Sequence, residues 1–177
     1  MDNLIIRSKE YRELQLRSIG VSDLEELRLW KNSNKLSFFF QEEITSAMQQ
    51  RWFQKYLASD SGYMFVVEEI MVDSNNNHKI GCMGYRKMDD GEVDIYNIIR
   101  GEKSLRNQKM SNAMNMMLSF ISIWEANIYC KVLKNNPARD WYLNICFEIS
   151  EVFDSYLLLR PRKNVSCDIL IEKIKRG

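Results

Sequence analysis

Apolar positions along the chain alternate between two spacings, and the changes of spacing mark out its elements. Glu13 to Ile19 (ELQLRSI) alternates polar and apolar, which predicts a half-buried strand. Ser22 followed by Glu25 has capping-box spacing, and Leu24, Leu27, Leu29 and Trp30 then give a helix one buried side, ended by Lys31-Asn-Ser-Asn34. Thr45 to Leu57 predicts a second helix, with Met48, Trp52, Phe53 and Tyr56 on one side. The triplet Phe38-Phe39-Phe40 between them suits either a packed loop or a ligand pocket. Tyr63 to Ile70 and Lys79 to Tyr85 predict two strands, separated by an asparagine-rich turn that carries His78. Gly81 and Gly84 mark places where the second of these must bend or be approached closely. Asp89-Asp-Gly91 is a hairpin turn signal.

The most informative stretch is Glu92 to Met117. Val93, Ile95, Ile98 and Ile99 are β-branched and suit a strand, whereas from Met110 the apolar residues return at helical spacing (Met110, Ala113, Met114, Met117, Leu118, Ile121). The methionine stripe reads as core packing. Between strand and helix lies the basic, polar segment Arg106-Asn-Gln-Lys-Met-Ser111. A helix start presents unpaired N–H groups and the positive end of a dipole. The segment is therefore either an anion site, with charge added by Arg106 and Lys109, or a solvated cover over a helix end. Ile128 to Leu133 predicts a short strand. Asn135-Asn-Pro137 opens a helix carrying Trp141, Tyr142, Ile145 and Phe147, and Glu151 to Leu158 and Cys167 to Ile171 predict the last strands. The order describes one mixed α+β domain around a largely antiparallel sheet with helices on both faces.

Composition narrows the classes of function. A chain of 177 residues with net charge +1 lacks the basic field that nucleic-acid binding needs. Cys82, Cys130, Cys146 and Cys167 are scattered and His78 is the single histidine, which is not metal-ligand spacing, so no metal is expected. Reduced thiols, a charged N-terminal stretch and no apolar run of spanning length lead to the expectation of a cytoplasmic protein without membrane contact.

Leu16-Arg17 followed by Asp23-Leu24, then Ile80-Gly81, Asp94-Ile95, the Arg106 segment, and Val132 through Asn135-Asn136-Pro137-Ala138 to Tyr142 and Phe147 resemble, in order and spacing, the GNAT superfamily of acetyl-CoA-dependent N-acyltransferases. Trp30-Lys31-Asn32, Ile44-Thr45 and Trp52-Phe53 look most like the branch of ribosomal-protein N-terminal and nucleotide-amino-sugar N-acetyltransferases. The resemblance covers roughly Leu14 to Phe147.

That resemblance implies roles for particular residues. Arg106, Asn107, Gln108, Lys109, Met110, Ser111 and Asn112 form the loop and first turn whose N–H groups hold the coenzyme A pyrophosphate. The pantetheine arm pairs with the backbone of Asn97, Ile98 and Ile99, and Asn135 or Asn136 contacts it. Tyr142 is the acid for the departing thiolate and Asp94 a proton acceptor for the amine, through water. Trp30, Asn32, Phe40 and Gln49 line the acceptor pocket. The family's two loop glycines are Lys109 and Ser111 here, and the branch's histidine is Gln49 or Gln50. Cys146 stands where a glycine is usual, as either a buried or an acyl-accepting thiol. The function implied is acetyl transfer from acetyl-CoA to a primary amine by a monomer or homodimer. The expected acceptor is a small molecule such as a nucleotide-linked amino sugar, with a peptide N-terminus as the second choice. A silent coenzyme A-binding or interaction module, or a scaffold without the cofactor, is the rival that the missing glycines and histidine favour.

Overall fold

The computed structural model describes residues 3–71, 77–102, 108–124, 127–162 and 166–174. Its elements follow one another as β1 (Asn3–Ser8), β2 (Leu14–Ser18), a 3-10 turn (Val21–Asp23), α1 (Leu24–Ser33), a second 3-10 turn (Lys35–Ser37), α2 (Ser46–Ala58), β3 (Gly62–Glu69), β4 (His78–Lys87), β5 (Val93–Arg100), α3 (Lys109–Ser122), β6 (Ile128–Leu133), α4 (Arg139–Ile145), β7 (Phe147–Val152), β8 (Tyr156–Pro161) and β9 (Ile169–Ile174). The nine strands form one sheet in the order β7-β8-β6-β5-β4-β3-β2-β1-β9. Every neighbouring pair is antiparallel except β5 and β6, which run parallel. The expected largely antiparallel α+β sheet is present.

Helices cover both faces because the central strands are apolar on both. Along β3, Phe65 and Val67 enter the cluster that contains Met114, Met117, Phe120 and Ile121 of α3, whereas Met64 and Val66 enter the one that contains Leu27 and Trp30 of α1 and Phe53 of α2. This is the period-two side-chain alternation of a strand buried on both sides. Burial of a side chain such as the fully covered Phe65 contributes about 1.5–3 kcal/mol. Gly81 and Gly84 are close-approach positions, as expected: an added Cβ would stand 2.2 Å from the Ile99 carbonyl oxygen or 2.1 Å from the Met64 sulfur.

Several boundaries differ from expectation. The Ser22 capping box does not form. The carboxylate that caps this corner is Asp23, which accepts the Gly20 N–H at 2.8 Å. Thr45 does cap α2, accepting the Met48 N–H. Asn136 turns the chain ahead of α4 by accepting the Ala138 N–H at 2.8 Å, so the helix starts at Arg139, after Pro137. The tail predicted as a strand from Glu151 to Leu158 is the β7–β8 hairpin, and β1 precedes the strand expected to be first. His78, expected in a turn, opens β4 opposite Glu69.

Candidate active site at the β5–β6 splay

β5 and β6 are paired only through Val93–Ile128 and Asp94–Tyr129. From Cys130 onward β6 pairs instead with β8 on its far side, from Cys130–Leu159 to Leu133–Tyr156. The edge of β5 beyond Ile95 thus faces a gap, and the sheet opens into a V. On its other side β5 carries a bulge: Cys82 faces Ile99 and Gly84 faces Tyr96, leaving Asn97 and Ile98 opposite Met83. Asn97 supplies the turn of the backbone with φ +51°, a conformation that asparagine tolerates better than most residues. A bulge of this kind bends the strand and re-aims the residues that it holds.

A cavity of about 600 Å³ fills the V, walled by β5 from Asp94 to Arg100, by Cys130 and Lys131 of β6, and by Asn136 and Tyr142 beyond it. Among the described residues its charged groups are Lys31, Arg86, Arg100 and Lys131 against one carboxylate, Asp94, a balance that suits a phosphate-bearing ligand. Asp94 is buried and held by Arg86 at 2.7 and 2.9 Å, both contacts falling on Oδ2. Burial pushes the Asp94 carboxyl above its ordinary range against the pull of that guanidinium. Tyr142 is buried in the cavity wall, and its hydroxyl has no hydrogen-bond partner among the described residues, so it opens onto the cavity. Burial raises its pKa well above the ordinary phenol value, which keeps the proton on the oxygen. The Cys146 thiol is likewise pushed up, to about 12, by burial. That is the buried thiol, since nucleophilic chemistry needs a thiolate.

At the helix mouth, Gln108 takes φ +67° as the residue before α3, and the Asn112 N–H donates to its carbonyl as the first helical bond. The N–H groups of Lys109, Met110 and Ser111 belong to the first turn, which has no intrahelical acceptor for them. The Ser111 hydroxyl accepts the Trp141 indole N–H at 3.1 Å and ties this turn to α4. Arg106 and Asn107 lie outside the described residues.

The expectation that the Lys109 side chain adds charge at the loop is corrected. Lys109 is buried and its ammonium pairs with Glu13, across on the β2 side. Only its backbone faces the mouth of the helix. Lys109→Met is therefore expected to leave the Kd for acetyl-CoA within about threefold, whereas loss of a phosphate-contacting lysine would weaken it more than about tenfold; isothermal titration separates the two.

The acceptor-side residues divide. Phe40 and Gln49 line a second, smaller cavity on the α1–α2 face, beyond the bulge. Trp30 and Asn32 line neither of these two cavities. Trp30 packs over Gly101, where an added Cβ would meet its ring at 2.1 Å. Asn32 exchanges hydrogen bonds with both the N–H and the carbonyl of Ile44, pinning the segment that leads into α2. Asn135 is exposed and outside the cavity wall, while Asn136, in the wall, donates to the Ser37 carbonyl.

The residue that sequence reading passed over is Lys31. It lines both cavities, and its ammonium donates to the Asn97 side-chain oxygen and sits 4.3 Å from the centre of the Phe38 ring. Its signal was present, since Leu24, Leu27 and Lys31 are spaced as one helix stripe and Lys31 is a cation on the buried side. Burial lowers its pKa to about 8 from 10.5. Between those values the unfolded chain holds the proton and the folded chain does not, so stability rises with pH across that window and the full cost is present below pH 8. Lys31→Met is expected to raise the unfolding free energy by about 1–2 kcal/mol at pH 7, with the gain shrinking toward pH 10. Chemical denaturation at the two pH values checks this.

The family model described as "Acetyltransferase (GNAT) domain" matches residues 13–139. No protein of curated function matches the chain in sequence. Among solved structures, one described as apo FdhC, a nucleotide-linked sugar GNAT, superposes with TM-score 0.71 at 15% identity, covering 92% of this chain and 91% of its own. Spermidine N-acetyltransferase from Vibrio cholerae, in complex with CoA and spermine, gives 0.64 at 19% identity over 91% and 95%. The N-acetyltransferase PseH from Campylobacter jejuni, in complex with acetyl coenzyme A, gives 0.60 at 14% identity over 85% and 99%. The splayed, bulged sheet is a shared fold, and the match over residues 13–139 makes the chain a member of the GNAT acetyltransferase family.

Proposed function

We propose that the protein moves the acetyl group of acetyl-CoA to a primary amine of a small molecule by direct attack. The observation that carries this reading is the V between β5 and β6, with the Asn97 bulge on one wall, Tyr142 on the other and a cation-rich rim. In this reading the backbone of Asn97 to Ile99 holds the pantetheine arm and polarises the thioester carbonyl, and the first turn of α3 holds the pyrophosphate. The amine nitrogen bonds to the carbonyl carbon as the carbon–sulfur bond breaks. The amine proton leaves to Asp94 through water, and the thiolate takes a proton from Tyr142. Orientation of two bound substrates supplies most of the acceleration, since no covalent enzyme intermediate is needed. The nucleotide-linked amino sugar and the peptide N-terminus remain acceptor choices within this reading.

Thiol release from acetyl-CoA in the presence of an amine panel, together with a thermal shift on adding acetyl-CoA alone, tests it. Saturating acetyl-CoA at about 100 times Kd is expected to stabilise by about 2.7 kcal/mol, with amine-dependent thiol release. Stabilisation without release for any amine would leave a silent binding module, and neither signal would contradict the reading altogether.

A further inference from the structure

Beyond the Asn97 bulge, and sharing Lys31, Phe40, Asn97 and Ile99 with the large cavity, lies a chamber of about 160 Å³. Its wall comes from α1, the segment before α2, α2, and the inner strands, and it is mostly apolar: Leu27, Ile44, Met48, Trp52 and Met64 are among its lining residues. An apolar cavity of roughly this size, about 150 Å³, holds a benzene-sized group. Among the described residues no carboxylate lines it, and its one charged lining group is the ammonium of Lys31. A polyamine, which carries a second ammonium, meets no counter-charge here and a repulsive one in the wall. A sugar with several hydroxyls would leave most of them facing apolar side chains, at the cost of lost hydration.

Three polar side chains, Lys31, Asn97 and Gln49, interrupt the apolar wall, and the first two are bonded to each other. Gln49 is 9% exposed, lines the chamber, and its side-chain amide has no hydrogen-bond partner among the described residues. Among the described residues no fully covered side-chain polar atom lacks a partner, so the Gln49 amide retains some accessible surface, and the residue lines the chamber. With Lys31 and Asn97 engaged with each other, the unpartnered Gln49 amide is suited to a ligand that brings one hydrogen-bonding group with it. The occupant is the acceptor and not a lengthened acyl chain, because an alkyl chain would leave that amide unmatched.

We infer that the chamber binds the body of the acceptor, and that the acceptor is a primary monoamine with a compact apolar body of about ring size bearing a single hydroxyl, which Gln49 reads. This rests on the acetyltransferase reading above and names the substrate class for it.

The test is steady-state thiol release with acetyl-CoA and four amines: tyramine, phenethylamine, spermidine and a nucleotide-linked amino sugar. It is run on the wild type, Gln49→Leu and Met48→Trp, with hexanoyl-CoA as an alternative donor. Tyramine is expected to show kcat/KM at least about tenfold above spermidine and the amino sugar, and about tenfold above phenethylamine. Gln49→Leu removes the advantage over phenethylamine while activity with phenethylamine persists. Met48→Trp, which fills the chamber, raises KM for tyramine about tenfold and leaves KM for acetyl-CoA unchanged. A preference for spermidine or the amino sugar overturns the inference. So does a wild-type preference for hexanoyl-CoA that Met48→Trp abolishes, which would give the chamber to the acyl chain. If acetyl-CoA binds but no amine turns over, titration of tyramine into the coenzyme A-loaded protein decides, and absence of binding overturns the inference. Absence of acetyl-CoA binding removes the acetyltransferase reading itself, a failure distinct from the wrong choice of amine.

Discussion

Tyr142→Phe is expected to lower kcat by about 10²-fold while leaving KM for acetyl-CoA and the melting temperature close to wild type. The substitution removes one hydroxyl, and that hydroxyl has no hydrogen-bond partner among the described residues, so no protein group is left unsatisfied by its loss. The ring itself is what packs, edge-on against Trp141 at 4.9 Å and Phe147 at 6.0 Å between centroids, and phenylalanine keeps both contacts. Because burial lifts the Tyr142 pKa well above its ordinary value, the group stays protonated through the working range. The pH profile of the wild type should accordingly show no loss of rate from tyrosine ionisation near pH 10. Steady-state kinetics on the purified variant, with circular dichroism melting as the control for folding, is the check. An unchanged kcat would mean that water, and not Tyr142, protonates the thiolate.

Asp23→Ala is expected to destabilise the fold by about 1–3 kcal/mol without any direct part in the chemistry. Asp23 is 1% exposed and binds Arg17 at 2.9 and 3.0 Å, Lys79 at 2.9 Å and the Gly20 N–H at 2.8 Å. Burial alone would raise its pKa, but Arg17, Lys79 and the Gly20 N–H together hold it below the usual carboxylate value. A carboxylate whose folded pKa is lowered contributes stability above its unfolded pKa and loses it as pH falls through the folded one. The wild type should therefore lose stability in acid partly through this residue, and Asp23→Ala should flatten that limb. The alanine leaves Arg17 with Glu68 and Lys79 with Glu26, so neither cation is stranded, but it strips the Gly20 N–H of its acceptor where the chain turns from β2 into α1. Urea unfolding at neutral and acid pH measures both effects.

The first family anchor along the chain, Leu16-Arg17 with Asp23-Leu24, is thus a structural device. What was legible in the sequence follows from period. β6 from Ile128 to Leu133 coincides with its predicted limits, and α2 lies within a residue of them, because their apolar spacing has one consistent reading. The edge strands were harder. β9 is largely exposed, and its pairing with β1 through Leu4–Lys173 and Ile6–Ile171 joins the two ends of the chain, a contact that no local pattern announces. Around the proposed site, the strand and helix periods of β5 and α3 were legible in the sequence, while the turn at Asn97 and the side-chain partners were not. Asn97 to Ile99 reads as an ordinary stretch of β-branched strand, and the left-handed turn at Asn97 appears only once β4 is set beside it. Lys109 looked like a free cation because Glu13 is remote in sequence. Lys31 looked like the polar end of a helix because the wall it faces is assembled from β3, β4 and β5.

The central claim is that acetyl-CoA lies between β5 and β6, on the Asn97 bulge and the first turn of α3. Amide hydrogen exchange with and without acetyl-CoA addresses it most directly. The account predicts slower exchange at Tyr96 to Arg100 and at Lys109 to Asn112 on adding the ligand, with β1 and β9 unchanged. Protection elsewhere with none at these two segments, or no protection anywhere at saturating acetyl-CoA, would contradict it.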